Sequence, residues 1–105
     1  MNAYCRFELL LPLKFNDGRP IPREMLAETA FEIKKRFEGV SWETHVIEGF
    51  WRHGGIEYRD QVNRIFVEAE DTSEHRYFFQ SLKERLKARF QQVDIRLTVH
   101  PIEVL

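Results

Sequence analysis

The chain has 105 residues, with 16 Lys plus Arg against 17 Asp plus Glu and a formal net charge of -1. That length fits a single domain over residues 1–105, large enough to bury roughly 65% of the surface its unfolded form exposes. The balance of charge, without a long block of one sign, argues against a nucleic-acid arm or an anionic membrane as partner, and a lone cysteine, Cys5, excludes an intramolecular disulfide.

Tyr4 to Leu13 alternates in character, with Cys5, Phe7, Leu9 and Leu11 on one face and Tyr4, Arg6, Glu8 and Leu10 on the other. This is the period of a strand with one buried face. Cys5 therefore points toward a core and is a poor nucleophile. Asn16 to Pro22 is a turn-rich connection whose prolines cannot continue a strand. A helix follows, with Leu26, Ala30, Ile33 and Phe37 on its inner face, Glu24 and Glu28 early and Lys34 to Arg36 late; Gly39 suits a left-handed C-terminal cap.

Val40, Trp42, Thr44 and Val46 begin a second strand that continues through Phe50 and Trp51. Its apolar parity slips by one residue, and a bulge at Gly49 is predicted to absorb the slip. Gly54 and Gly55 supply the positive φ of a hairpin turn, which places Arg52 opposite Glu57 and Trp51 opposite Tyr58. The third strand runs to Ala69 with Ile65, Val67 and Ala69 on one side. Asp71-Thr72-Ser73-Glu74 has the spacing of a capping box with Asp71 as cap. The second helix turns Phe78 or Phe79, then Leu82, Leu86 and Phe90 inward, and Ile95, Leu97 and Val99 form the core face of a last strand.

The segment Ile33 to Val46 recurs as Leu86 to Val99, with five of 14 paired positions identical. Two halves related by a pseudo-twofold, in the order β-α-β-β-α-β, specify an α+β fold: a ferredoxin-like sandwich whose antiparallel sheet has the order 4-1-3-2, with two helices on one face. Pro101 removes a ladder donor and belongs on an edge, where this order puts the fourth strand.

The topology separates His45, His53, His75 and His100, so no metal site is expected from them, and nothing in the chain calls for a cofactor. Glycine-rich phosphate loops and the stacking aromatics of an RNA-recognition strand are absent. Basic and aromatic residues from separate segments should instead converge at one end of the sandwich. Arg19, Arg52, His53 and Arg89 could face a small anion there, with Trp51 and Phe15 as an apolar wall. The competing structural reading has Arg52 serving Glu57, Arg89 complementing a helix dipole and Arg19 solvated.

The helix-free sheet face carries Tyr4, Leu10 and Phe66 among charged residues, and the chain ends in the apolar Val104 and Leu105 beside an edge strand. Both features point to self-association as a homo-oligomer, with a dimer the simplest form. The leading expectation is a non-catalytic interaction module. The alternative is a small-molecule or enzymatic domain in which two sheets enclose a pocket, with His53 as the candidate general base. Charges interrupt the N-terminal region where a signal peptide needs apolar residues, and no run approaches the ~18 of a membrane span, so a cytoplasmic protein is expected.

At Phe37-Glu38-Gly39-Val40, Gly49-Phe50-Trp51-Arg52 and Lys87-Ala88-Arg89-Phe90-Gln91-Gln92, the chain resembles small bacterial proteins of unknown function. In these a Phe-x-Gly-apolar helix exit, a Gly-x-Trp strand and a helix ending in Arg-Phe recur in this order. The resemblance spans most of residues 31–99, implies a compact ferredoxin-like fold and implies no activity.

Overall fold

The computed structural model describes residues 3–105. The element order is β1 (Tyr4–Pro12), α1 (Arg23–Arg36), β2 (Ser41–His53), β3 (Ile56–Glu70), α2 (Ser73–Arg89) and β4 (Arg96–Ile102). The four strands form one antiparallel sheet of order β2-β3-β1-β4, which is the predicted order. Alternation in β1 buries Cys5, Phe7, Leu9 and Leu11 against α1 through Leu26, Ala30 and Ile33, and against α2 through Phe79, Leu82 and Leu86. Phe7 stacks on Phe79 with ring centroids 4.5 Å apart. Each such side chain contributes about 1.5 to 3 kcal/mol by leaving water, so the core lies between β1, β3 and the helices. Pro101 sits on the edge strand β4, opposite Cys5.

Both predicted helix caps differ from those observed. The chain leaves α1 through Phe37 in an extended conformation (φ -122°, ψ 158°), and Gly39 has no positive φ. Phe37 packs between His75, Phe78 and Phe79, and reaching that cluster requires the chain to straighten before Gly39. At α2 the cap is Thr72, whose hydroxyl accepts from the His75 amide at 3.0 Å. Asp71 is still held to the sheet, its amide donating to Ala3 at 2.7 Å, and its carboxylate takes a forked pair from Arg76 at 2.6 and 2.8 Å.

The register of β2 on β3 shifts between Glu43 and Ile47. Gly49 lies in regular register opposite Asp60, so the predicted bulge is displaced toward the start of the strand. Its cause is Asn63, 3% exposed on the core face of β3. The Asn63 side-chain carbonyl accepts from the Trp42 indole at 3.1 Å, and its NH2 group donates to the His45 carbonyl at 2.9 Å, which satisfies a backbone group within the irregularity. Glu43 pairs with Arg64 and Ile47 with Val62, so two extra β2 residues are accommodated and the face of each later side chain is preserved. The apolar residues beyond it therefore occupy both faces of the ribbon.

Candidate functional site: a projecting hairpin and the groove at its base

β1 ends at Pro12, opposite Val62, whereas the β2–β3 ladder continues to His53 and Ile56. Among the described residues, 56–60 have β2 as their only ladder partner, so the hairpin runs on for about 16 Å beyond the sheet. Gly54 and Gly55 close it at φ 59° and 79°, and Arg52–Glu57 and Trp51–Tyr58 are cross-strand pairs as predicted. The Arg52 guanidinium reaches Glu57 at 3.0 Å, and Trp51 stacks on Tyr58 with centroids 4.5 Å apart. The Trp51 indole also donates to Asp60 at 2.6 Å. A bond from Arg59, then one from Gln61, holds the Glu48 carboxyl below the usual carboxylate range.

These contacts order the ribbon without covering it. Phe50 is 72% and Ile56 58% exposed, and Val46, Trp51 and Tyr58 are also exposed. By ladder parity Ile56, Tyr58 and Trp51 lie on the helix-free side and Phe50 on the other. Apolar side chains on both faces of a two-stranded ribbon have no intramolecular layer to bury them.

Where the hairpin leaves the body, a groove of about 1000 Å³ opens. The aliphatic side chains of Leu10, Ile47 and Val62 and the rings of Phe15, Phe50 and Trp51 line it. Lys14, Arg59 and Arg96 bring positive charge to it and Asp60 and Asp94 negative charge.

The sequence-predicted anion residues do not converge. Trp51 lines the groove, but Arg19, Arg52, His53 and Arg89 are not among its lining residues. Arg19 bonds to Asp17 at 2.6 Å and lies over the Phe15 ring. Arg52 and His53 are at the tip of the hairpin. Arg89 lies between the helices, donating to Thr29 at 3.1 Å and to Glu32 at 3.0 Å. Burial opposes ionisation of Glu32, yet bonds from Arg85 and Arg89 prevail and hold its carboxyl below the usual range. Lys14 and Arg96 take the place of the expected cations at the groove; alternation of β4 already placed Arg96 on the helix-free side, whereas Lys14 lies beyond the end of β1.

The helix-free face of the body is an ionic lattice. Glu8, with a side chain only 17% exposed, lies 3.4 Å from His100, 3.7 Å from Arg64 and 3.8 Å from Arg6. Arg6 bonds Glu68 at 2.6 Å and caps the Phe66 ring at 4.2 Å, while Arg64 bonds Glu43 at 3.1 Å. Among the predicted interface residues, Leu10 and Phe66 are half-buried in this face, whereas Tyr4, Val104 and Leu105 are exposed. The His75 ring bonds the Glu70 carbonyl and that of His100 meets Thr98. No group of three or more His, Cys, Asp or Glu among the described residues is arranged to hold a metal. Burial pushes the Cys5 thiol up, as a core position should. No helix among the described residues is long and apolar enough to cross a membrane.

The fold defines a ferredoxin-like α+β protein with an extended central hairpin. Among solved structures, this fold is shared with a phage SAM lyase in complex with S-methyl-5'-thioadenosine, at a TM-score of 0.72 and 15% identity over 96% of this chain and 83% of that one. CutA1 from Oryza sativa matches at a TM-score of 0.67 and 15% identity, covering 99% of this chain and 84% of its own. The divalent cation tolerance protein CutA1 from Thermus thermophilus matches at 0.66 and 18% identity, over 97% and 86%. No family model and no curated protein matches the chain.

Proposed function

We propose that this chain is a non-catalytic, self-associating module of the cytoplasm, which forms at least a homodimer through its projecting hairpin. The observation that carries this reading is the set of exposed apolar side chains, Val46, Phe50, Trp51, Ile56 and Tyr58, on both faces of a ribbon with no covering layer. Burial against another copy would gain about 1.5 to 3 kcal/mol for each side chain fully removed from water. β2 is also an edge strand along its whole length, and an apolar edge invites pairing. Val104 and Leu105, exposed beyond the other edge strand near Tyr4, add a second apolar element at the end of the sheet opposite the hairpin, and Leu10 and Phe66 lie half-buried on the helix-free face.

The ionic lattice around Glu8 supplies register for such an interface, since charged groups specify orientation more than they add affinity. The neighbours' nucleoside ligand and cation tolerance are not carried over, because identities of 15% and 18% support architecture alone. Sedimentation velocity across a hundredfold range of concentration tests the proposal. A mass that rises above 12.7 kDa with concentration is expected, and a constant 12.7 kDa would overturn it.

A further inference from the structure

We propose that the groove at the base of the hairpin binds a small, flat, apolar molecule bearing an anionic group, with Lys14 and Arg96 recognising the charge. One chain builds the whole groove, so the inference does not require self-association, although Leu10, Phe50 and Trp51 belong to both surfaces. Its size and chemistry are those of a small-molecule site: a volume of about 1000 Å³ lined by aliphatic and aromatic side chains. Trp51 is already fixed by its stack on Tyr58 and its bond to Asp60, so it offers a ring face without further loss of side-chain freedom.

The pairing of charges decides the sign of the ligand. Asp60 is engaged by the Trp51 indole, Asp94 by Lys83 at 3.2 Å, and Arg59 by Glu48. Lys14 and Arg96 have no counter-ion among the described residues. Arg96 pairs with Leu10 in the ladder and Lys14 follows the end of β1 by two residues, so both cations border the groove along β1. A neutral ligand would leave both with water alone; an anion supplies the missing partner through charge-assisted hydrogen bonds.

The test compares two fluorescent probes of nearly the same apolar body, the anionic 1-anilinonaphthalene-8-sulfonate and the neutral N-phenyl-1-naphthylamine, titrated into the full chain. The double variant Lys14→Ala/Arg96→Ala should weaken the sulfonate about tenfold or more and leave the neutral probe within about twofold. Lys34→Ala/Lys35→Ala, which removes the same charge from the end of α1 outside the groove, should leave both probes unchanged. Equal weakening of the sulfonate in both double variants would reduce the effect to net charge and overturn the proposal. So would a groove variant that binds the sulfonate as the wild type does, or that loses both probes while retaining the wild-type circular dichroism.

Discussion

The same two strands live in two environments. In the inner half of the β2–β3 ladder, Ile65 is 1% exposed, Trp42 packs on the core and Asn63 satisfies the polar groups left by the register shift. In the outer half, beyond Val62, comparably apolar residues such as Phe50 and Ile56 face water, and the ribbon is held by ladder bonds, surface ion pairs and the Trp51–Tyr58 stack. Composition does not distinguish the halves; what covers them does. The inner half carries the stability of the folded chain, and the outer half carries surface whose burial requires a second molecule.

The sharpest way to break that comparison is to truncate one aromatic residue in each region. Phe79→Ala, which removes a ring at the centre of the Phe7–Phe37 cluster, should cost about 3 to 5 kcal/mol in urea denaturation. Phe50→Ala should cost less than about 0.5 kcal/mol when measured at a concentration where the chain is monomeric. Similar losses at both sites would mean that the hairpin is part of the core after all.

Asn63→Ala should be next in size. It orphans the Trp42 indole N–H and the His45 carbonyl and should lower stability by about 2 kcal/mol, with self-association retained. Chemical denaturation together with a mass measurement separates the two effects.

Glu32→Gln should have a smaller and pH-dependent effect. The folded carboxyl is held below its ordinary value of 4.5, so its pairing with Arg85 and Arg89 stabilises the helices above that pH and is lost as pH falls through the lower folded value. Partial exposure limits the neutral-pH loss to about 0.5 to 1 kcal/mol. The variant should therefore show a flatter acid limb in a plot of stability against pH, and an unchanged limb would assign acid lability elsewhere.

Trp51→Ala should have an effect of similar size, confined to the ribbon. Its stack contributes about 0.5 to 1.5 kcal/mol within the ribbon, without unfolding the body. Hydrogen exchange should report faster amides in the hairpin alone.

Much of this architecture is legible in the residues, because period-2 and period-3.6 burial is written directly in Phe7, Leu9, Leu11 and in Leu26, Ala30, Ile33. The Gly54-Gly55 turn sets its own register for the same reason: few residue pairs tolerate that backbone. The caps expected at Gly39 and Asp71 lie elsewhere because tertiary packing of Phe37 and a sheet bond from the Asp71 amide decide them. Asn63 carries a readable signal, a single polar residue in the buried parity of Ile65, Val67 and Ala69, and it marks the true irregularity. The groove is legible only in part. Trp51 and Phe15 stand at the expected end, but Arg19, Arg52 and Arg89 each find a nearby carboxylate, and only three-dimensional pairing shows Lys14 and Arg96 left over.

The central claim, that the outer hairpin joins one copy of the chain to another, is tested most directly by the light-scattering mass of Phe50→Glu/Ile56→Glu beside that of the wild type. Charges on both faces of the ribbon should yield a folded monomer of 12.7 kDa where the wild type is larger. A double variant that keeps an enlarged wild-type mass would contradict the account, as would a wild type that is itself 12.7 kDa at every concentration.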